Sequence, residues 1–588
     1  MSPRRLAVAV ALVALAGACK KSHAPGKHKD TKPVAGEAAA KFRTDPNAFH
    51  VDPAFTGTGK TFMVDSESDL ATKVGHDVLL AGGNAADAAV ATAFALAVVH
   101  PTAGNLAGGG FAIVRPVKGP ENALDFREVA PAAATADMFL DDKGKPTKDS
   151  ITSDRASGVP GSVAGLWELH KKYGKTPWKD LIAPAQKLAR DGFVVDPYLH
   201  AMIERRGQLL AANPASAALW MPGGKPIAKD ALVKLPELAA VLDRIADSGP
   251  PGFYTGPTAA AIVEEMKHGG GLITADDLKS YKAVWREPLR FDYRGKHVIS
   301  MPPPSSGGIV LAMTANMLRA QDLGKMGWHS VDHVHWLVEV WRRAYAARNE
   351  ILGDPAFVKT MPLDKLLSQD YADKLVATIG PKATPSKDVM ALIEGNHTTN
   401  LCVVDGQGMA IALTTTLNTA FGNGVTVSGF LLNNEMDDFT AKPGSPNVYG
   451  LRQGAANKIE PGKRMLSSMS PTIIEDEKGE LFMVLGAQGG PKIITAVWQT
   501  LSNVIDFGFA VDAAVAAPRI HHQHLPDQVD VEAEALTREV DEGLRALGYL
   551  LDWSKSPREF ADANAILHTK AGWQGAIDPR GAGAALGD

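Results

Sequence analysis

Asn396-His397-Thr398-Thr399-Asn400-Leu401-Cys402-Val403-Val404-Asp405 opens on a Thr-Thr pair and runs into β-branched and apolar residues. Residues 399–404 read as a strand, Asp405-Gly406-Gln407-Gly408 as a turn, and 409–416 as the returning strand of a hairpin. By itself a Thr-Thr pair at a strand start is β-propensity and nothing more. A second reading gives Thr398 a chemistry. A threonine hydroxyl is a weak nucleophile at neutral pH and needs a base. An N-terminal threonine carries one, its own α-amine, with a reference pKa of about 7.7–8.0. An internal threonine has only an amide nitrogen there. If Thr398 acts as a nucleophile, the bond from His397 to Thr398 must break first.

The chain around this stretch has 588 residues, enough for one large layered unit or more than one core. Its 45% hydrophobic and 21% charged residues are those of a globular protein. A formal charge of −4 provides no basic field for nucleic acid. Two cysteines, Cys19 and Cys402, imply no disulfide framework; Cys402, inside the strand, reads as a small buried hydrophobe.

Residues 1–18 read as an export signal: Arg4 and Arg5, an apolar run over 6–15, then Ala16-Gly17-Ala18 before Cys19. Leu15-Ala16-Gly17-Ala18-Cys19 resembles a bacterial lipobox, which implies a lipid on Cys19; ordinary cleavage after Ala18 is the rival. Residues 19–50 read as a flexible tether, rich in Lys, Ala and Pro with few apolar anchors.

Gly82-Gly83-Asn84 leads into residues 85–99, a run of small apolar residues that reads as a close-packed buried helix; it is short for a membrane span and contains Asp87. Gly104 to Gly110 is glycine-rich, but it precedes a strand and lacks a Gly-Lys-Ser/Thr ending, which argues against a nucleotide loop. Arg127, in Asp125-Phe126-Arg127-Glu128, reads either as a surface ion pair or as a fork for a carboxylate. Helical patterns follow at 167–173, 178–191 and 259–268, with capping chemistry at Thr274. Pro302 to Gly308 is a turn before another apolar helix. His333 and His335, two apart, do not face one ligand on a helix. Residues 355–394 read as a surface excursion that ends at the proposed cleavage site.

After the hairpin, Leu431 to Phe439 places Glu435, Asp437 and Asp438 behind a short apolar strand. These carboxylates suit a metal, a glycosidase pair or a ligand ammonium. A second hairpin, 472–474 and 481–485, runs into Gly486-Ala487-Gln488-Gly489-Gly490-Pro491 and an apolar helix to about 505. Glycines at a strand–helix junction leave N–H groups suited to an oxyanion, or make a plain turn. His521-His522-Gln523-His524 invites a metal, but adjacent histidines on a strand point to opposite faces.

In this order, from about residue 55 to the end, these motifs resemble the γ-glutamyltransferase (γ-glutamyltranspeptidase) family of N-terminal-nucleophile hydrolases. The resemblance implies an α+β fold, a four-layer αββα sandwich built jointly by a large chain, 51–397, and a small catalytic chain, 398–588. It implies Thr398 as the nucleophile freed by self-cleavage after His397, with Thr416 beside it. It implies Arg127, Ser467 and Ser468 on the α-carboxylate of a γ-glutamyl group, and Asn418, Glu435 and Asp438 on its ammonium. Gly489 and Gly490 become the oxyanion donors, and residues 443–457, with Tyr449, align with a lid found in some members. The reaction implied cleaves the γ-glutamyl amide of glutathione and related donors through an ester on Thr398. Water or an amino-acid or peptide acceptor takes the acyl group, with no metal or organic cofactor. Two alternatives stay open: a related acylase of cephalosporin or poly-γ-glutamate type, and an unprocessed, membrane-tethered binding protein. Position 435 is Glu where some members carry Gln, and His524 sits where an aromatic residue is common.

Overall fold

The computed structural model describes residues 51–389, 398–448, 451, 453–556 and 559–588. The expected signal, tether and Cys19, the residue His397 and the lid residue Tyr449 lie outside these residues.

Strand Thr399–Val404 returns through an Asp405 turn, in which Oδ1 of Asp405 accepts the N–H groups of Gln407 (2.9 Å) and Met409 (3.0 Å), into strand Ala410–Thr416. This hairpin lies in the middle of an antiparallel sheet, in the order Ala584–Gly587, Met63–Ser66, Thr399–Val404, Ala410–Thr416, Gly109–Arg115, Asn122–Asp125, Val284–Arg286. A second antiparallel sheet runs Thr56–Gly59, Gly572–Ile577, Asp562–Thr569, Leu481–Gln488, Thr472–Glu475, Lys296–Ser300, Leu289–Tyr293.

Alternation along the first hairpin decides the layers. Leu401, Val403, Ile411 and Leu413 join the core of helix Ala85–Val99, whereas Cys402, Val404, Ala410 and Ala412 join a core with Val484 and Ile566 of the second sheet. Helices Gly307–Leu318 and Lys492–Ile505 close the far side of that second core. The result is helix, sheet, sheet, helix: the αββα sandwich. Both sheets interleave strands from before and after position 398.

Helix Ala85–Val99 is buried along its whole length, and the small side chains let it approach the sheet closely. Asp87 is accounted for by capping: the Asn84 side chain accepts its N–H, and its carboxylate accepts the N–H of Asn84 and the hydroxyl of Thr176. The glycines at 108–110 belong to strand packing. A β-carbon on Gly108 would stand 2.0 Å from the Thr416 carbonyl oxygen, and one on Gly110 2.3 Å from that of Thr414. The helix expected at 167–173 starts five residues earlier, at Ser162, and the one expected at 178–191 has those bounds. Thr274 forms the capping box the sequence suggested.

The candidate active site

Thr398 sits one residue ahead of its strand and is 4% exposed. Around it one pocket gathers Arg127, Arg348, Thr416, Asn418, Glu435, Asp438, Leu451, Ser467, Ser468, Met469, Gly490, Pro491 and Ile493. Of the residues expected at the site, Gly489 is the one described residue outside this lining. It lies one position before Gly490, at the end of strand Leu481–Gln488.

Arg127 follows the edge of strand Asn122–Asp125. Asp125 accepts its backbone N–H (3.0 Å) and also pairs with Arg286 (2.7 Å) and Arg464 (3.2 Å), which fixes the strand end from which Arg127 projects. The guanidinium is buried and donates from Nη1 to Glu435 and from Nη2 to Asp438. The surface-pair reading of Arg127 therefore fails: it is an interior cation. Its partners are the two carboxylates expected on the ammonium side of a zwitterion. Each carboxylate gives Arg127 one oxygen and keeps one, Glu435 Oε2 and Asp438 Oδ1, buried with no hydrogen-bond partner. Such acceptors are costly unless something donates to them.

Glu128 adds a third carboxylate. It is fully buried, its Oε2 lies 3.8 Å from Arg127 Nη1, and neither oxygen has a hydrogen-bond partner. Burial pushes its pKa up to about 8, against the pull of Arg127. Burial likewise raises Glu435 and Asp438, again opposed by Arg127. Burial works against the Arg127 charge, but Glu435 and Asp438 outweigh it and hold its pKa above the usual value.

Glu435–Asp438 form a short 3-10 turn, positioned by Asn433, whose Oδ1 accepts the Glu435 N–H (2.9 Å). Asn418 has φ of 75°, in the region that asparagine tolerates better than most residues. Its Nδ2 donates to the Asn434 carbonyl (2.8 Å), and the residue lines the pocket. Thr416 Oγ1 accepts the Asn418 N–H (2.8 Å).

Ser467 and Ser468 are held by the turn that precedes helix Gly307–Leu318. The Ser467 N–H donates to the Pro304 carbonyl (2.8 Å), and the Ser467 carbonyl accepts from the N–H (2.8 Å) and hydroxyl (2.6 Å) of Ser306. Gly489 and Gly490 have φ of 137° and 55°, where a β-carbon is strained, so glycine is needed at this junction. Helix Lys492–Ile505 starts immediately after Pro491.

The histidine run serves the frame. His521 bonds Thr495 (2.7 Å) and Gln523 (2.6 Å), and His522 Nδ1 accepts the His524 N–H (3.0 Å). His524 reaches the Ser386 carbonyl (2.9 Å), which gives this residue a role in holding the segment before the proposed cleavage site. His333 and His335 diverge: His333 accepts the His329 N–H (2.9 Å), and His335 bonds Tyr549 (2.6 Å).

Sequence reasoning missed Arg348 and Glu128 as a buried acid; Asp437, read with Glu435 and Asp438 as a possible ligand carboxylate, instead accepts the hydroxyl of Ser150 (2.5 Å) and the N–H of Val448 (2.6 Å) outside the pocket lining. An arginine in an amphipathic helix and an acid in a strand-end motif carry no local mark of burial.

A threonine at the head of a central strand of an αββα sandwich, sharing one pocket with Gly490 and a buried charge cluster, is the arrangement of an N-terminal-nucleophile amidohydrolase. The comparisons narrow that class. The family model described as gamma-glutamyltranspeptidase matches residues 71–588, and the chain belongs to that family. It is 49% identical over 482 residues to the glutathione hydrolase proenzyme of Escherichia coli K12, covering 80% of this chain and 83% of that one. It is 43% identical to the glutathione hydrolase proenzyme of Pseudomonas aeruginosa, over 91% of this chain and 96% of the relative. Among solved structures, a cephalosporin acylase from Bacillus halodurans superposes with a TM-score of 0.79 at 26% identity, covering 92% of this chain and 99% of that one. The γ-glutamyltranspeptidase of Helicobacter pylori gives 0.54 at 42% identity, over 55% of this chain and 93% of that one.

Proposed function

We propose that this chain is a self-processing γ-glutamyltransferase and glutathione hydrolase. The observation that carries the reading is the single pocket that unites Thr398 with a paired cation–carboxylate cluster, two serine hydroxyls and Gly490. A zwitterionic amino-acid head leaves water only where both its charges are met. Arg127, Ser467 and Ser468 meet the carboxylate. Asn418 Oδ1 and the unpartnered oxygens of Glu435 and Asp438 meet the ammonium. The γ-carbonyl then lies toward Thr398.

Cleavage between His397 and Thr398 frees the α-amine, which takes the hydroxyl proton as the oxygen attacks the γ-carbonyl. The N–H groups of Gly489 and Gly490 hold the oxyanion, and Thr416 orients Thr398. The amine of the donor leaves with the proton, and a γ-glutamyl ester remains on Thr398. Water or an acceptor amine, such as an amino acid or peptide, takes the acyl group, and Thr398 recovers its proton. Residues 51–397 and 398–588 remain together as one two-chain sandwich.

The pattern of residues 1–19 supports export to the periplasm with a lipid on Cys19. Incorporation of labelled fatty acid that is lost in Cys19→Ser tests that placement; equal labelling of the variant overturns it.

The decisive test of function is aniline release from a γ-glutamyl anilide, with and without a dipeptide acceptor, on protein whose chains are resolved on a denaturing gel. Release by a two-chain protein, faster with acceptor, is the expected result. A two-chain protein that leaves this donor intact and cleaves a cephalosporin side chain would replace the reading with an acylase.

A further inference from the structure

Arg348 is the charged group in the pocket that the roles above leave unused. It projects from helix Val331–Ile351, is 1% exposed and lines the same pocket as Thr398. Its Nε donates to Ser306 Oγ (3.0 Å) and its Nη1 to Asn349 Oδ1 (2.9 Å) and Gln453 Oε1 (3.0 Å), while Nη2 donates to Ser468 Oγ (3.2 Å). All these acceptors are neutral. Among the described residues, Arg127 has its carboxylates and Arg348 has none in ion-pair contact. A buried guanidinium without a counter-charge is costly to maintain. Burial draws its pKa down to about 10, against the fields of Tyr345 and Asp438, so it stays charged at neutral pH.

The serines give the second observation. Ser467 Oγ accepts the Met469 N–H (3.1 Å), and Ser468 Oγ accepts from Arg348. A hydroxyl has one proton to donate. An oxygen that already accepts from an N–H directs that proton elsewhere, so both hydroxyls are set as donors. An acceptor-only group is what such a pair fits, and a carboxylate is one.

We propose that Arg348 is the second positive charge of the donor's α-carboxylate subsite, acting through Ser468, whose hydroxyl it sets as a donor. It is a positioning residue and rests on the γ-glutamyl reading. Arg127 is shared with Glu435 and Asp438, so Arg348 supplies further positive charge to the carboxylate on the side of Ser468. The subsite then selects donors that carry an α-carboxylate over those that lack one.

The test compares two anilides, γ-glutamyl and 4-aminobutyryl, which differ only by the α-carboxylate. The wild-type chain, Arg348→Gln and Arg348→Lys are each run as two-chain protein. In R348Q the preference in KM for the γ-glutamyl donor is expected to fall on the order of 30-fold, with kcat changed far less. R348K, which keeps the charge and loses the planar fork, is expected to recover part of that preference. A KM that rises equally for both donors, or for neither, overturns the proposal. If R348Q does not mature, R348K decides alone: a KM increase shared by both donors overturns the proposal, and one confined to the γ-glutamyl donor supports it. A wild-type chain that turns over neither donor overturns the γ-glutamyl reading and this proposal with it. An active wild-type chain beside an undiscriminating loss in R348Q overturns only the role of Arg348.

Discussion

The role proposed for Thr398 requires its nitrogen to be an amine, so that role depends on the bond before it being cut. Thr398→Ala is expected to run as one chain on a denaturing gel and to release no aniline; two chains from this variant would sink self-cleavage. Arg127→Ala is expected to mature and to raise the donor KM on the order of 100-fold, measured with the γ-glutamyl anilide. An unchanged KM would remove Arg127 from the head-group site. The residue types at the site were legible because their order along the chain is that of a family. Their pairing was not. Nothing local to Arg127, Glu435 and Asp438, more than 300 residues apart in part, shows that the cation and carboxylates of opposite poles touch one another.

At the scale of elements, the first hairpin and the second follow their sequence patterns, because alternation and turn chemistry are local. Strand Leu481–Gln488 runs three residues beyond the expected 485 because its partner, Asp562–Thr569, continues to pair as far as Gln488. The glycines at 108–110 show the reverse case. They read as a glycine-rich loop ahead of a strand, and they are instead the first residues of that strand and its approach, pressed against the Thr414 and Thr416 carbonyls. Gly108→Ala puts a β-carbon where the Thr416 carbonyl lies and is expected to cost about 2–3 kcal/mol. A lower urea midpoint with an unchanged slope would report it; an unchanged midpoint would mean that the neighbouring strand yields freely.

For the whole molecule, the interleaving of strands from both sides of position 398 predicts that the two chains of the mature protein co-elute in gel filtration until both unfold together. It also predicts that residues 398–588, expressed alone, do not form a folded unit. A folded, separately stable small chain, seen by circular dichroism and sharp thermal unfolding, would contradict the joint sandwich. Between the sheets lies Asp65, fully buried, whose Oδ1 accepts the Cys402 N–H (2.8 Å). Burial pushes its pKa up to about 8, from an ordinary value of 3.8. The unfolded chain therefore loses this proton near pH 4, while the folded chain holds it until about pH 8. Its contribution is fully present at low pH and falls as pH rises through that window. Asp65→Asn does not titrate, so the thermal midpoint of the variant minus that of the wild-type chain is expected to increase from pH 4 to pH 8. A difference independent of pH would refute a protonated Asp65.

The sequence by itself determined the family and the local elements, and it singled out Thr398 as the candidate nucleophile. Ordered motifs, hydrophobic period and turn residues are short-range properties that survive without coordinates. Tertiary structure alone decided which charges meet. Burial and the approach of distant segments set whether an arginine is an ordinary surface cation or a guanidinium matched to two carboxylates, as Arg127 is. They also decided that Arg348 lies among neutral acceptors beside Ser468, and that Glu128 and Asp65 are held in the interior. The energy of a charge depends on the medium and the partners around it, and a sequence specifies those only through the fold.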